Sequence, residues 1–355
     1  MPADHILSYA RDLAGGGVER ALLRLAGGWV DAGRRVTLVL GAAIGPLTAD
    51  MPGGVELVEI GGGSMRRLAR GLPAAVRDRR PDLLFCPGNH YTGIAAWTRV
   101  RLGRSCPPIV GKMSNAVRRG DHGVLLDRWH RAWLGQHGRI LDHLVAMSPA
   151  TASEAARATG MVGRTSVIAN PPPLPVAGAA SPSLPPSPFI LGVGRLARQK
   201  RWDRLVAAMP ALPGVPVMIL GEGPERAALR AQALALGVAE RLQLPGHTAD
   251  PLTVMAEAAT LVLVSDFEGV PGVLREALSV GTPVVATRSS PAVAEIVSDA
   301  AVGTMVPRDD PRALEAALRF WLTAPRPVPV PMWGHDSAAR YLALFDRIVS
   351  SAGSG

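Results

Sequence analysis

TLVLVSDFEGVPGVLREALSVGTPVVAT, residues 260–287, reads as strand, loop, helix and strand in a single sweep. Residues 260–265 are an apolar run rich in β-branched side chains, too short for a helix and stopped by Asp266. Pro271 has the fixed φ that suits the first turn of a helix, and Leu274, Ala277 and Leu278 follow at helical spacing through 271–280. A second apolar run closes the unit at 283–287. A strand that is apolar at every position is buried on both faces, which happens in parallel sheets covered by helices.

The same alternation extends in both directions. Strand-like runs recur at 4–10, 35–41, 55–60, 82–87, 108–113, 143–148 and 165–169, and again at 189–194, 216–221, 241–245 and 303–306. Helices are expected near 201–211, 223–236, 250–258, 310–322 and 335–350. Val18, Ala21, Leu22, Leu25, Ala26, Trp29 and Val30 trace one face of another. Strands separated by helices form right-handed crossovers in parallel sheets. Between the two series, PPPLPVAGAASPSLPPSP (171–188) holds eight prolines in eighteen positions and reads as a stiff linker. The expected organisation is therefore α/β: a Rossmann-like domain over 1–170, the linker 171–188, and a second such domain over 189–324. A terminal segment, 325–355, opens on a further proline-rich stretch and ends in a helix. Two domains of this kind face one another across a cleft, with ligands beyond the carboxyl ends of the strands.

Composition excludes several classes. Apolar residues make up 48% and charged residues 19%, too apolar for a disordered chain. Cys86 and Cys106 are too few for a disulfide framework and form no CxxC pair for zinc. No apolar run is long enough to span a bilayer, and MPADH lacks the basic start of a secretory signal. The expectation is a soluble, cytoplasmic protein. Its charge is lopsided: residues 1–170 carry 22 Lys and Arg against 13 Asp and Glu, whereas the remainder carries 16 of each. An arginine-rich genome explains arginine in place of lysine but not this division. The cationic half suits an anionic partner, either a membrane surface or a phosphate-bearing substrate. Aromatic residues are only 4% and no nucleic-acid motif accompanies the arginines, so nucleic acid is not expected.

The candidate chemistry sits on strand-to-helix loops. Glu268 leaves the strand at 260–265, and Glu276 lies in the first turns of the next helix. Gly269 and Gly272 leave backbone N–H groups open to a ligand. The pair reads equally as a helix cap and a solvated side chain. Arg195 and Lys200, in GVGRLARQKRWDRLVAA (192–208), precede another helix, where a guanidinium and an ammonium suit a pyrophosphate or simply face solvent. LGEGPE (220–225) supplies Gly221 and Gly223 as further donor-binding candidates, and LPGHTADP (244–251) supplies His247, a residue that serves packing or capping more often than catalysis.

Taken together, GVGRLARQKRWDRLVAAMPAL, MILGEGPERAALRAQALALGV and FEGVPGVLREALSVGTPVVAT resemble the family 4 retaining glycosyltransferases of GT-B fold, with Glu268 and Glu276 matching an E-x7-E pattern. LAGGGVERALLRLAGGWVDAGRRVTLVL (13–40) resembles the family's N-terminal glycine loop and helix, and MWGHDSAARYLALFDRIV (332–349) the segment crossing back to the first domain. The resemblance implies a nucleotide-diphospho-sugar, UDP- or GDP-linked, in the second domain and an acceptor in the first. It assigns Arg195 and Lys200 to the diphosphate, aided by the amides of Gly15, Gly16 and Gly17. Glu268 goes to the donor sugar, Glu276 to the ribose, and the His247 segment to the base. The backbone of Gly269, Val270, Pro271, Gly272 and Val273 goes to the sugar and β-phosphate. No metal and no cofactor are expected, since the chain lacks the DxD pair of the metal-dependent alternative.

One departure concerns the acceptor side. The family's histidine after the strand at 108–113 is replaced in IVGKMSNAVRRGDHG, where Lys112, Ser114 and Asn115 stand and His122 lies too far along. Asn89 and His90, after the strand LLFCPG, offer an alternative acceptor contact or serve a structural role equally well. The implied function is transfer of a hexose-type sugar to a hydroxyl of a glycan or lipid-linked acceptor in envelope or exopolysaccharide assembly, peripheral to the inner membrane face. A sugar-nucleotide epimerase and a non-catalytic nucleotide-sugar scaffold are the rival readings.

Overall fold

The computed structural model describes residues 2–14, 16–117, 123–173 and 182–352. Gly15, Arg118, Arg119, His122 and the part of the linker at 174–181 lie outside them. The chain forms two units: the first runs to Pro171 and takes the chain back from Trp333, and the second holds the stretch from Pro172 to Met332.

The first unit is a seven-stranded parallel sheet. Its strands are β1 (His5–Ala10), β2 (Arg35–Leu40), β3 (Val55–Glu59), β4 (Leu83–Cys86), β5 (Ile109–Lys112), β6 (His143–Ala146) and β7 (Thr165–Val167), in the order β3-β2-β1-β4-β5-β6-β7. The second unit is a six-stranded parallel sheet of β8 (Ile190–Val193), β9 (Val217–Leu220), β10 (Leu242–Gly246), β11 (Thr260–Leu263), β12 (Val284–Thr287) and β13 (Gly303–Val306). Its order is β10-β9-β8-β11-β12-β13. Both sheets reverse their winding beside their first strand, between β1 and β4 and between β8 and β11. At such a switch point the two flanking loops diverge to opposite faces and leave a crevice beyond the carboxyl ends of the strands.

Alternate residues along β8 show why its run is apolar throughout. Ile190 packs into one core with Trp202, Leu205 and Val217, and Leu191 into another with Met218, Leu261 and Leu274. The first unit's core is more aromatic. Trp29, from the helix Gly17–Asp31, meets Phe85 of β4 edge-on at 5.4 Å and Phe345 at 5.3 Å, and Phe85 meets Tyr341 at 5.3 Å. Tyr341 and Phe345 belong to the C-terminal helix Ser337–Ala352, so that helix fills part of this core.

The return to the first unit falls later than the residue 325 expected from sequence. Arg326 donates to Ala258 O (3.2 Å) and Thr282 Oγ1 (2.7 Å), and the Val330 amide to Leu278 O (2.9 Å), which ties 326–330 to the second unit. Ser337 anchors the chain in the other unit, its hydroxyl donating to Ala169 O at 2.7 Å.

Candidate active site

In the second unit, the loops after β8 and β11 flank the switch point and are stitched together. The Asp266 amide donates to Gln199 O at 3.0 Å, and Gln199 Nε2 donates to Phe267 O at 2.8 Å. The Asp266 carboxylate takes Arg201 at 3.2 Å and Arg204 at 2.8 Å. Arg201 is left-handed at φ 49°, a conformation that costs a side-chain-bearing residue about 1–2 kcal/mol. Its contacts to Asp203 and Asp266 hold it there. This turn sets the direction of its neighbour, Lys200.

Lys200 Nζ donates to Glu268 Oε1 at 2.6 Å, and Ser265 Oγ donates to the same oxygen at 2.6 Å. The Glu268 amide donates to Ser289 O at 3.0 Å, and the residue is 7% exposed. Glu268 is thus held through one carboxylate oxygen, and Oε2 has no hydrogen-bond partner among the described residues. Ser289 stands beside it with a buried hydroxyl that also lacks a partner among them. Neither Ser265 nor Ser289 stood out in the sequence, because isolated serines after strands carry no pattern.

The other expected residues are distributed around this pair. The Arg195 carbonyl accepts from Trp202 Nε1 at 2.9 Å, while its side chain is exposed and has no hydrogen-bond partner among the described residues. His247 is exposed just past β10. Pro271 is buried at the N-cap of the helix Gly272–Ser279, one position earlier than the first turn expected for it. Gly272 opens that helix exposed, and the Glu276 carboxylate lies 3.7 Å from where a Gly272 Cβ would stand. Gly269 O accepts from Ser290 Oγ at 2.8 Å, and Val270 and Val273 are half-buried nearby. Gly221 and Gly223 have a different reason to be glycine. A Cβ on either would overlap the backbone of the β8 loop, at Gly194 O and Leu196 O respectively, so their bareness is required by loop packing.

In the first unit the structure brings the acceptor-side candidates together at the switch beside β4. Ser114 Oγ and the Asn115 amide both donate to Asn89 Oδ1 at 3.1 Å, and the exposed His90 ring lies 4.0 Å from the Tyr91 ring. Tyr91 OH donates to Glu19 Oε1 at 3.1 Å and accepts from the Arg11 amide at 3.0 Å. Gly16 is the N-cap of the helix Gly17–Asp31, and its bareness admits the Glu19 carboxylate, while Gly17 has open space around it. An anion already lies where the glycine amides were expected to meet a diphosphate, and a carboxylate there is favoured by the helix dipole.

Lys112, at the end of β5, is 2% exposed, and its Nζ donates to Asn170 Oδ1 at 2.9 Å. Burial pulls its ammonium down from 10.5 to about 8, with the Glu19 carboxylate opposing. Below about 8 the folded protein carries a buried charge that the unfolded chain solvates, so this group weighs against folding there. The weight lifts as pH rises through the interval up to 10.5. The first unit of the wild type is expected to gain stability over that range relative to Lys112→Met, by about 1.4 kcal/mol per pKa unit. Thermal melts of both proteins from pH 7 to 10 check this, and a stability difference that stays constant contradicts it.

Among the described residues, no group of three His, Cys, Asp or Glu side chains is placed to hold a metal ion. No helix among them is long and apolar enough to cross a membrane.

Two family models divide the chain. Residues 15–173 match the one described as Glycosyltransferase Family 4, and residues 179–329 match Glycosyl transferases group 1. Among curated proteins, the chain is 36% identical over 103 residues to the lipopolysaccharide core biosynthesis glycosyltransferase LpsE of Rhizobium meliloti, 29% of this chain and 30% of that protein. It is 34% identical over 152 residues to the GDP-mannose-dependent alpha-(1-6)-phosphatidylinositol monomannoside mannosyltransferase of Mycolicibacterium smegmatis, 39% of this chain and 40% of that protein. The chain thus spans less than half the length of either relative. Among solved structures, Anabaena HepE in complex with UDP-glucose superposes with a TM-score of 0.72 at 17% identity, over 99% of both chains. WaaG, involved in lipopolysaccharide biosynthesis, superposes with a TM-score of 0.69 at 19% identity, over 98% of both.

Proposed function

The chain belongs to the family 4 glycosyltransferases and has the GT-B fold, and from that premise we propose that it is a metal-independent, retaining glycosyltransferase. It moves a sugar from a UDP- or GDP-sugar to a hydroxyl of a glycan or lipid-linked acceptor. The observation that carries this reading is the Lys200–Glu268–Ser265 cluster at the switch point of the second sheet, with the Arg195 side chain exposed on the adjoining loop. The relative that uses GDP-mannose and the structural neighbour that binds UDP-glucose support a nucleotide-sugar donor.

In this reading the donor diphosphate shares the Lys200 ammonium with Glu268, and Arg195 swings onto the same phosphates. Two cations on the leaving group stabilise the transition state more than the ground state, because charge builds there as the glycosidic bond breaks. Glu268, held through Oε1, presents Oε2 to a hydroxyl of the donor sugar. The Gly269–Val273 backbone meets the sugar and β-phosphate, Glu276 the ribose, and the His247 segment the base. The acceptor hydroxyl forms its bond to the anomeric carbon on the face from which the diphosphate leaves, and a phosphate oxygen takes its proton. A carboxylate engaged by an ammonium and a hydroxyl is a weakened nucleophile, which favours this front-face route over a covalent sugar–Glu268 intermediate. The acceptor binds at Asn89, His90, Ser114 and Asn115. The arginine-rich first unit faces the cytoplasmic side of a membrane, consistent with the lipid-directed relatives.

Incubation with a panel of UDP- and GDP-sugars, with and without glycan and glycolipid acceptors, tests the proposal. Transfer that requires acceptor, survives chelation and retains anomeric configuration is expected. An epimer or free sugar from donor alone identifies the epimerase reading, donor binding without any product the scaffold, and an inverted product contradicts retention.

A further inference from the structure

The helix Val124–Leu134 offers to solvent the side chains that a surface helix ordinarily turns inward. Leu125 is 83% exposed, Val124 77% and Trp129 66%, Leu126 is exposed as well, and Leu134 is its one buried residue. At about 100° per residue, Leu125, Leu126, Trp129, Ala132 and Trp133 fall on one arc of the helix. Arg128 and Arg131, both exposed, lie off that arc, and Arg131 is paired with Asp127 at 2.7 Å. The first unit has further exposed apolar side chains. The short helix that follows, His137–Ile140, touches the helix Thr92–Leu102, where Trp97 and Val100 are exposed and Arg101 stacks on the Trp97 ring at 5.6 Å.

An exposed apolar surface of this extent marks an interaction site. Its composition selects the occupant. Tryptophan, leucine and arginine together are the side chains that settle at the headgroup level of a bilayer. The first 170 residues carry the chain's whole positive excess, complementary to an anionic leaflet. A helix of 11 residues is about 16 Å long, too short to span a bilayer and suited to lying in its surface. We propose that Val124–Leu134 is an interfacial insertion helix that seats the first unit on an anionic lipid bilayer by burying Leu125, Leu126 and Trp129 among the acyl chains. This rests on the membrane-facing reading of the first unit and names the element that makes the contact.

The test is flotation of the full chain with vesicles of phosphatidylglycerol and phosphatidylcholine, and with phosphatidylcholine alone. Leu125→Glu/Trp129→Glu is compared with the wild type, and its thermal melt reports that it is folded. The wild type floats with the anionic vesicles, and the double variant loses at least about tenfold in bound fraction. Brominated acyl chains quench part of the wild-type tryptophan fluorescence, and Trp129→Phe, which still floats, loses most of that quenching. If the wild type ignores anionic vesicles, the membrane-facing reading fails and the helix assignment with it. If the wild type floats and the double variant floats equally, only the helix assignment fails. A lipid-free dimer that Leu125→Glu dissociates assigns the face to a second copy of the chain and also overturns the proposal.

Discussion

Lys200→Ala is expected to lower kcat for sugar transfer by about 10²–10³-fold, the usual consequence of removing one fixed charge or donor from a site where charge develops. The variant is also expected to lose stability, because Glu268 is 7% exposed and its carboxylate is left without its cation. Breaking one half of a largely buried ion pair costs about 3–5 kcal/mol, discounted here because the Lys200 side chain is 19% exposed. The two effects can be separated. Lys200→Met/Glu268→Gln leaves neither charge alone and keeps a side chain able to accept from Ser265, so its denaturant midpoint should return towards that of the wild type. Its turnover should stay at the floor. Recovery of activity together with stability would mean that the pair only holds two loops together and plays no part in transfer.

Phe345→Ala is the second large effect. Phe345 is fully buried and meets both Trp29 and Phe85, so truncation removes an aromatic side chain from the centre of the first unit and leaves a cavity. The expected loss is about 3–5 kcal/mol for that unit. The C-terminal helix carrying Phe345 belongs to the first unit, so the second unit's transition should keep its midpoint. Urea unfolding followed separately by the tryptophans of the two units reads this directly. A loss under about 1 kcal/mol, far short of that cavity cost, would show that the helix is an appendage, not part of the core.

The architecture was legible because parallel strands announce themselves. Runs such as 190–193 and 261–264 are apolar throughout since both of their faces are covered, and the prolines and glycines between them mark the connections. The positions of Lys200 and Glu268 at strand ends were legible for the same reason. Their pairing was not, because it joins residues 68 apart in the chain and depends on β8 and β11 being neighbours. Lys112 shows the same limit. A lysine after an apolar strand looks like a surface residue, and only the placement of β5 inside the sheet buries it. Gly221 and Gly223 looked like ligand-facing glycines, whereas a neighbouring loop occupies the space they leave. The helix Val124–Leu134 misleads in the other direction: helically spaced leucines and tryptophans usually signal burial, and here they lie on the outside. The return of the chain at Trp333, later than residue 325, depends on Arg326 and Val330 finding backbone partners in the second unit, which no proline pattern encodes.

In the proposed site Lys200 and its neighbours grip a nucleoside diphosphate without a bound cation. Titration calorimetry with UDP and with GDP, in buffer containing excess EDTA, measures this for the wild type and for Lys200→Ala. One of the two nucleotides is expected to bind the wild type under chelation, and the variant to bind it at least about tenfold more weakly, as loss of a charge-assisted contact requires. Binding that appears only after a divalent cation is restored, or equal affinity in the two proteins, would contradict it.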